Sequence, residues 1–243
     1  MPSDIDSKLE IIIPTYNRCK TLEQTLLKIL DSPVKNCKIT ILDNNSNDAT
    51  SDIVNKFLSE YNNITYVKNR YNIGLAGNMT KALTLVEKEY FWIVFDDTGL
   101  DFTNWSYIEK GIEQNYDCVL TLNYYNALNT TDVKEKAAIY LMLIYCFAGI
   151  YKSNLINDDV ILYSVTDIYT VHSQMALLSA LFNDENRKIY IPEKTISYPK
   201  INPETEKGEK YSFNRDEGRF YHFRISEGDF IPGFLCGIQS IKD

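Results

Sequence analysis

Short apolar runs alternate with amphipathic segments of helical period between residues 9 and 95, and this alternation constrains the fold more than any other feature of the chain. Strands joined by helices form parallel sheets, because each crossover helix returns the chain to the end of the sheet where the previous strand began. The sequence therefore predicts an α/β fold, a Rossmann-like three-layer α/β/α arrangement with a mostly parallel central sheet. The predicted strands are residues 9–14, 38–43, 64–69 and 90–95, and the predicted helices between them are 22–31, 52–61 and 79–89.

Local signals predict where some of these elements begin. Thr21 and Gln24 have the spacing of a capping box for the first helix. Asp48 is a candidate cap for the second helix. The glycine-containing segment NIGLAGN, residues 72–78, is predicted to be a loop. It is neither a P-loop nor a GxGxxG turn, because GK[ST] is missing and the glycine spacing differs.

The second half of the chain has weaker patterns. We predict helices at residues 104–115, 133–145 and 172–182 and strands at 117–123, 188–192 and 195–199. Residues 1–199 are expected to form one domain. Residues 200–243 are charged and rich in turn-forming residues, which predicts a C-terminal extension or flap.

Composition and charge exclude several classes of protein. The net charge of −8 argues against a general nucleic-acid binder, which needs a basic surface. The five cysteines include no CxxC pair, so we expect reduced thiols rather than a disulfide framework or a zinc site. The most apolar stretch, residues 137–151, is shorter than the roughly 20 residues that a membrane span needs. The polar N-terminus is unlike a signal peptide, so we expect a cytoplasmic protein.

Polar clusters follow three of the predicted strands. They are TYNR at 15–18, DNNSND at 43–48 and DDT at 96–98. In open α/β sheets, ligands bind beyond the carboxyl ends of the strands. The three clusters therefore predict one shared ligand site, although connecting loops are commonly polar for other reasons.

The adjacent carboxylates of Asp96 and Asp97 repel each other unless a cation lies close to both. A divalent cation with oxygen ligands, itself bound to a phosphate, would relieve the repulsion. In the alternative interpretation, one carboxylate caps the following turn and the other points to solvent. Tyr16 is suited to stack on a base, and Arg18 is suited to bind a phosphate or a ribose. Residues of these loops are also common as helix caps.

Four segments in this order, IIIPTYNR, ILDNNSNDAT, NRYNIGLAGNMTKAL and YFWIVFDDT, resemble the nucleotide-sugar-binding half of family 2 glycosyltransferases, which have the GT-A fold. The resemblance covers about residues 9–100 and weakens after them. It divides the predicted domain into a nucleotide-sugar-binding half, 9–100, and an acceptor half, 101–199. It implies an inverting displacement in which an acceptor hydroxyl attacks C1 of the sugar while a nucleoside diphosphate leaves.

The resemblance also implies roles for matching positions. The residues implied to bind the donor are Thr15, Tyr16 and Arg18 at the nucleotide, Asp43 and Asn44 at the base and ribose, and Asn78 at the diphosphate and sugar. Asp96 and Asp97 would form the acidic motif that holds Mg²⁺ or Mn²⁺. Asp97 is the expected direct ligand, and Asp96 is expected to contact the ribose or a metal-bound water.

Two positions depart from the commonest pattern of the family. Many members carry aspartate where this chain has Asn44, so the base contact is expected to differ here. The third position of the acidic motif is Thr98 rather than aspartate. The loss of a carboxylate should weaken metal binding, so donor and metal are expected to bind cooperatively.

The general base is the least defined part of the predicted site. Relatives often carry it in an ED-type motif near the start of a helix, and the second half of this chain has no clear match. The nearest candidates are His172, at the start of the predicted helix 172–182, and Asp167. An unperturbed histidine pKa of about 6.5 suits proton abstraction near neutrality. His172 is equally suited to cap the helix or to form part of a wall.

We therefore expect a cytoplasmic glycosyltransferase that uses a nucleotide-diphosphate sugar donor and a glycan or lipid-linked saccharide acceptor, in bacterial surface polysaccharide or glycoconjugate synthesis. Contact with the inner face of the membrane through the acceptor stays open, although no basic amphipathic helix supports it. The alternative is a catalytically degenerate module of the same fold that binds nucleotide or glycan or scaffolds a partner. A nucleotidyltransferase is disfavoured, because the segment after the first strand lacks the glycines that would bind a triphosphate.

Overall fold

The computed structural model describes residues 4–122, 148–166 and 175–198. A short 3₁₀ turn, Ser153–Leu155, follows the strand Gly149–Lys152. The helices and strands, in chain order, are α1 (Asp4–Lys8), β1 (Leu9–Thr15), α2 (Cys19–Leu30), β2 (Lys38–Asp43), α3 (Thr50–Glu60), β3 (Ile64–Lys68), α4 (Gly74–Thr84), β4 (Tyr90–Ile93), α5 (Trp105–Glu113), β5 (Cys118–Leu120), β6 (Gly149–Lys152), α6 (Asp158–Thr166), α7 (Met175–Phe182) and β7 (Ile189–Tyr190).

The strands of the described residues form one mixed sheet in the order β3-β2-β1-β4-β6-β5-β7. Strand β6 pairs antiparallel with both β4 and β5, and the other neighbouring pairs are parallel. Strand β1 lies near the middle and is buried along its whole length, as expected for a parallel strand with helices on both faces. The predicted mostly parallel sheet is confirmed.

Helices cover both faces of this sheet. On one face, Ile11, Ile13 and Trp92 belong to a core cluster that includes the apolar sides of α2, α3 and α5. On the other face, Ile12 and Ile93 belong to a cluster with residues of α4, α6 and α7. Successive strand residues point to opposite faces, so each strand contributes to both clusters. The predicted three-layer α/β/α arrangement is confirmed.

The strand order reverses between β1 and β4, and this reversal places the candidate site. The chain passes from β1 outward through β2 to β3, and β4 then lies on the other side of β1. In such sheets the crevice at the carboxyl ends of the two strands flanking the reversal binds ligands. Ile12 is the register partner of Ile93, so continuing this register brings Thr15 abreast of Asp96. Thr15 is also the register partner of Asp43 on β2.

The start of α2 differs from the prediction. The helix begins at Cys19, and the Thr21 hydroxyl donates a hydrogen bond to the Arg18 carbonyl over 3.2 Å, so the predicted capping box is wrong. The Cys19 amide instead donates to Asp48 Oδ2 over 3.0 Å. The Thr50 amide at the start of α3 donates to Asp48 Oδ1, also over 3.0 Å. The Asp48 carboxylate therefore accepts from the first amide of both helices, although the N-cap position of α3 itself is occupied by Ala49.

Helix α4 begins five residues earlier than the predicted helix 79–89, so most of the predicted loop 72–78 is helical. Gly74 has a φ of 75°, a left-handed conformation that favours glycine, and its amide donates to Asn72 Oδ1 over 2.9 Å. The helix ends at Thr84. Beyond it, the amides of Glu87 and Lys88 donate to the buried Glu10 carboxylate at the opposite edge of the sheet.

The second half agrees with the predictions in part. Helix α5 and strands β5 and β7 lie inside predicted segments, but segment 195–198 makes an isolated bridge between Ser197 and Asp101 instead of a strand. Helix α6 was not predicted, although the Asn157 side chain accepts a hydrogen bond from the Val160 amide as an N-cap. The predicted helix 133–145, most of the apolar stretch 137–151 and the C-terminal extension 200–243 lie outside the described residues. The domain division stays a prediction.

In the part of the chain that the structure describes, no helix is both long enough and apolar enough to cross a membrane.

Gly111 provides a test of how tightly α5 packs on the sheet. A Cβ at this position would lie 2.5 Å from Tyr190 Cδ1 and 2.8 Å from Val119 Cγ2. The Tyr190 ring also packs against Tyr116, with ring centroids 5.0 Å apart, so it has little room to move. In an unconstrained helix Gly→Ala would stabilise the protein by up to about 1 kcal/mol. Here we expect Gly111→Ala to destabilise it by about 1–3 kcal/mol through overpacking, measured by urea unfolding.

Ser106→Ala, at an exposed position of the same helix, is the matched control. It adds helix propensity without the clash and should leave the unfolding free energy unchanged or raise it slightly. An unfolding free energy of Gly111→Ala at or above that of the wild type would show that the α5 contact is looser than described.

Candidate active site

The ends of β1 and β4 are joined through the carboxylate of Asp96. Thr15 Oγ1 donates a hydrogen bond to Asp96 Oδ2 over 2.6 Å, and both residues are buried. From helix α2, the Thr25 hydroxyl donates to the backbone carbonyl of Asp96 over 3.0 Å. Both the side chain and the main chain of Asp96 are therefore held from neighbouring elements.

Arg18 provides the positive charge beside the two aspartates. Its Nη1 atom lies 2.9 Å from Asp96 Oδ1 and 2.9 Å from Asp97 Oδ2, so one guanidinium nitrogen bridges both carboxylates. The exposed fractions of the side chains are 3% for Asp96, 40% for Asp97 and 32% for Arg18. The sequence assigned Arg18 to a phosphate or ribose and the compensating charge to a metal. In the structure, Arg18 itself compensates the pair.

Burial dominates the electrostatics of Asp96. It raises the pKa of Asp96 from 3.8 to about 6, because a carboxylate loses its hydration when it is removed from water. The charge of Arg18 and the hydrogen bond from Thr15 lower this pKa, and the charge of Asp97 raises it. Arg18 and Thr15 therefore stabilise the ionised form of Asp96 against the cost of its burial.

The loops after β1 and β2 are joined to each other. Asn17 has a left-handed φ of 53°; its amide donates to Ser46 Oγ and its side-chain oxygen accepts from the Asn47 amide, both over 2.9 Å. Tyr16, beside it, is half-buried. The clusters 15–18 and 43–48 therefore lie against each other at the same edge, as predicted, and the Asp96–Asp97 pair joins them through Thr15 and Arg18.

Asp43 is fully buried at the end of β2, and protein groups bond to both of its oxygens. Oδ1 accepts from the Ser46 amide over 2.7 Å, and Oδ2 accepts from the Tyr66 hydroxyl over 2.6 Å. Lys68 Nζ lies 3.6 Å from Oδ2. Burial and this carboxylate raise the pKa of Tyr66 to about 12, so its hydroxyl remains a donor. The predicted contact of Asp43 with the base or ribose stays a prediction.

Asn44 connects the end of β2 to the start of α4. Its Nδ2 donates to Asn72 Oδ1 over 2.7 Å and to the Gly74 carbonyl over 3.1 Å. Its Oδ1 accepts from Asn69 Nδ2 and from the Ile73 amide, both over 3.0 Å. Asn44 therefore uses the donor and the acceptor of its amide within the protein, which an aspartate could not do.

Asn78 belongs to the same network. It is buried in α4, where Oδ1 accepts from Asn69 Nδ2 over 2.9 Å and Nδ2 donates to the Leu42 carbonyl over 3.2 Å. Lys81 donates to Asn69 Oδ1 over 2.7 Å. In the structure, the Asn78 side chain connects α4 to strand β2. Its predicted role at the diphosphate and sugar stays a prediction.

Sequence reasoning missed Asn69 and Thr25. Asn69 directly follows β3, so the rule that placed three polar clusters at strand ends would also have indicated this fourth one. Thr25 had no such signal, because a hydroxyl on the buried side of a helix resembles an ordinary core threonine. The two candidate bases, His172 and Asp167, lie outside the described residues.

The Asp96–Asp97 pair fits a metal ion that is coordinated partly by these carboxylates and partly by the phosphates of a bound substrate. Within residues 4–122, 148–166 and 175–198, no group of three or more His, Cys, Asp and Glu side chains is placed to hold a metal ion. Mg²⁺ commonly binds through one or two carboxylates and completes its coordination with substrate phosphates and water. Asp96 and Asp97 suit that arrangement, and Asp97 is the more accessible of the two.

Comparison with known families and curated proteins identifies relatives. The family model described as Glycosyl transferase family 2 matches residues 10–178. GalNAc(5)-diNAcBac-PP-undecaprenol beta-1,3-glucosyltransferase of Campylobacter jejuni is 32% identical over 94 residues, 38% of this chain and 30% of that protein. Abequosyltransferase RfbV of Salmonella typhimurium is 30% identical over 115 residues, 46% of this chain and 34% of that protein. The match thus spans about a third of the length of these curated relatives.

Solved structures support the fold. TarS 1–349 of S. aureus in complex with UDP-GlcNAc aligns with a TM-score of 0.61 at 19% identity, covering 96% of this chain and 66% of that chain. Mannosyltransferase PcManGT from Pyrobaculum calidifontis in complex with GDP-Man and Mn²⁺ aligns with a TM-score of 0.55 at 14% identity, covering 78% of this chain and 56% of that chain. The predicted GT-A fold is confirmed. Since the family model matches residues 10–178, more than half of the 243 residues, this chain belongs to glycosyl transferase family 2.

Proposed function

We propose that this chain is a metal-assisted, inverting glycosyltransferase that moves a sugar from a nucleotide-diphosphate sugar to a hydroxyl of a glycan acceptor. The observation that carries the proposal is the convergence of Thr15, Arg18, Asp96 and Asp97 at the point where the strand order reverses. That crevice is where open α/β sheets bind nucleotides. The site combines carboxylates for a cation with a guanidinium for a phosphate.

The comparisons support a nucleotide-sugar donor without selecting the base. One structural neighbour is bound to UDP-GlcNAc and another to GDP-Man with Mn²⁺. We propose Thr15, Tyr16, Asp43 and Asn44 as the surface for the nucleotide, with Asn78 positioning α4. Tyr16 is the half-buried aromatic side chain of this group and is suited to stack on a base.

Asp97 is the residue that would hold the cation, Mg²⁺ or Mn²⁺. A divalent cation at this position supplies charge stabilisation for the departing diphosphate. Asp96 would act beside it as the second carboxylate of the cation site, held in place by the hydrogen bond from Thr15. Arg18, a guanidinium with several parallel donors, is suited to bind phosphate oxygens as charge develops on the leaving group.

The transfer needs a group that accepts the acceptor's proton. The acceptor oxygen forms a bond to C1 while the bond from C1 to the diphosphate oxygen breaks, and the hydroxyl proton passes to a general base. His172 and Asp167 remain the proposed candidates for that base. Since curated relatives are named for acceptors linked to undecaprenol, we propose a lipid-linked saccharide acceptor at the inner face of a bacterial membrane, in surface polysaccharide or glycoconjugate synthesis.

The second candidate function is a degenerate module that binds nucleotide or glycan without turnover, or scaffolds a partner. Two observations favour it: Arg18 occupies both carboxylates, and protein groups satisfy Asp43 and Asn44. Thermal-shift assays with UDP, GDP, dTDP and CMP, with and without Mn²⁺, combined with donor hydrolysis assays, separate the two. Stabilisation together with turnover supports the enzyme, and stabilisation without turnover supports the binding module.

Asp97→Asn tests the proposed cation ligand. The change keeps the shape of the side chain and removes its charge, so the variant should fold normally. We expect it to lose the Mn²⁺-dependent part of the nucleotide-induced rise in melting temperature and to lose about 100-fold or more in turnover, because charge stabilisation of the leaving group is lost.

Asp52→Asn, at an exposed position of α3, is the matched control, since it makes the same chemical change away from the crevice. It should keep both the thermal shift and the turnover of the wild type. An Asp97→Asn variant that keeps full Mn²⁺-dependent stabilisation would exclude Asp97 as the metal ligand.

Asn44→Asp tests the positioning role of the amide. A carboxylate cannot donate, so its oxygen would face the Asn72 oxygen and the Gly74 carbonyl, which are 2.7 and 3.1 Å from the present Nδ2. We expect a loss of about 1–3 kcal/mol in unfolding free energy, because a buried carboxylate would face two acceptor oxygens with no donor between them. Asn55→Asp, exposed on α3, introduces the same charge and should change stability by less than about 0.5 kcal/mol. Equal stabilities of the two variants would contradict the network described here.

A further inference from the structure

A single nitrogen of Arg18 occupies the position between the two carboxylates. Nη1 is 2.9 Å from an oxygen of Asp96 and 2.9 Å from an oxygen of Asp97. A cation shared by this pair would have to lie between the same two oxygens. The guanidinium and such a cation therefore exclude each other from this position.

The Arg18 backbone is held by contacts that do not involve its side chain. Its carbonyl accepts from the Leu22 amide over 2.9 Å and from the Thr21 hydroxyl over 3.2 Å, in the first turn of α2. Asn17, the preceding residue, is bonded to the loop after β2. The side chain, a third exposed, lies at the rim of the crevice, so its rotamers can change without movement of the backbone.

We propose that Arg18 is a placeholder cation, a residue that neutralises the Asp96–Asp97 pair in the donor-free protein and thereby suppresses binding of a divalent cation without donor. This inference rests on the proposed function, because it assumes that a cation enters this site together with a sugar-nucleotide diphosphate. Once the cation is bound, the displaced guanidinium is available to the donor's diphosphate. Arg18 is then the physical cause of cooperative binding of donor and metal.

The charges of the site favour this exchange. One guanidinium nitrogen bonds to both carboxylates, so a free divalent cation must displace a guanidinium that is already well bonded. A cation that arrives with a diphosphate offers the guanidinium new phosphate partners. The exchange then replaces two carboxylate contacts with phosphate contacts instead of leaving the guanidinium in water.

The test measures binding of Mn²⁺ alone, with no nucleotide and at low ionic strength, by electron paramagnetic resonance of free Mn²⁺. We expect Arg18→Gln to bind Mn²⁺ at least about tenfold more tightly than the wild type, because the competing cation has been removed. Arg70→Gln is the matched control, since it makes the same change in net charge on an exposed arginine that lies over the Tyr71 ring. It should bind Mn²⁺ as the wild type does.

Two outcomes would overturn the inference: Arg18→Gln binding Mn²⁺ no more tightly than the wild type, or Arg70→Gln gaining as much as Arg18→Gln. If Arg18→Gln fails to fold because Asp96 is left buried without its partner, the comparison is made between Asp96→Asn and Arg18→Gln/Asp96→Asn. Removal of Arg18 should then still raise the Mn²⁺ affinity, and an unchanged affinity overturns the inference.

The inference and the proposed function fail in different ways. A wild-type protein that no nucleotide stabilises, with or without Mn²⁺, contradicts the proposed function. A wild-type protein that nucleotide and Mn²⁺ together stabilise, combined with an unchanged Mn²⁺ affinity in Arg18→Gln, contradicts only the placeholder role of Arg18.

Discussion

The buried carboxylate of Asp96 is the constraint on which the crevice depends. A carboxylate removed from water is costly unless hydrogen bonds and a positive charge compensate it. Here Thr15 at the end of β1 and Arg18 at the start of α2 supply that compensation. Thr25 of α2 holds the main chain at the same residue. The contacts of Asp96 thus connect β1, the end of β4 and α2. The neighbouring Asp97 is more exposed and lies at the mouth of the crevice.

The other side of the crevice is built on a different principle. Around the end of β2, the amides of Asn44, Asn69 and Asn78 bond to one another and to backbone groups. Neutral amides donate and accept at once, so they can be satisfied in a buried place without a counter-charge. The site therefore has the Arg18–Asp96–Asp97 group at β1 and β4. On the side of β2, β3 and α4 it has an amide network flanked by the charged side chains of Asp43, Lys68 and Lys81.

The first hundred residues were predictable because their elements are long enough to show a period and because parallel strands bring their carboxyl ends to one edge. That rule located Thr15, Asp43 and Asp96 together. It could not show that Arg18 turns back onto Asp96 and Asp97, because a side chain's choice between a carboxylate and a phosphate depends on distances that sequence spacing does not contain. The start of α4 was also hidden, since it depends on the left-handed backbone of Gly74 and on the Asn72 side chain. Strands β5 and β7 lie inside predicted segments, but their pairing could not be predicted, because their partners are distant in the chain.

Asp48 has a consequence for how this protein can vary. Its carboxylate accepts hydrogen bonds from the first amides of two helices that belong to different β–α units. Burial raises the pKa of Asp48, but the hydrogen bonds lower it by more. The span from the end of β2 to the start of α3 must then keep its length, because one inserted or deleted residue would move Asp48 away from Cys19 or from Thr50. Homologous chains that lengthen this connection must forgo the shared carboxylate and anchor their second helix by other means.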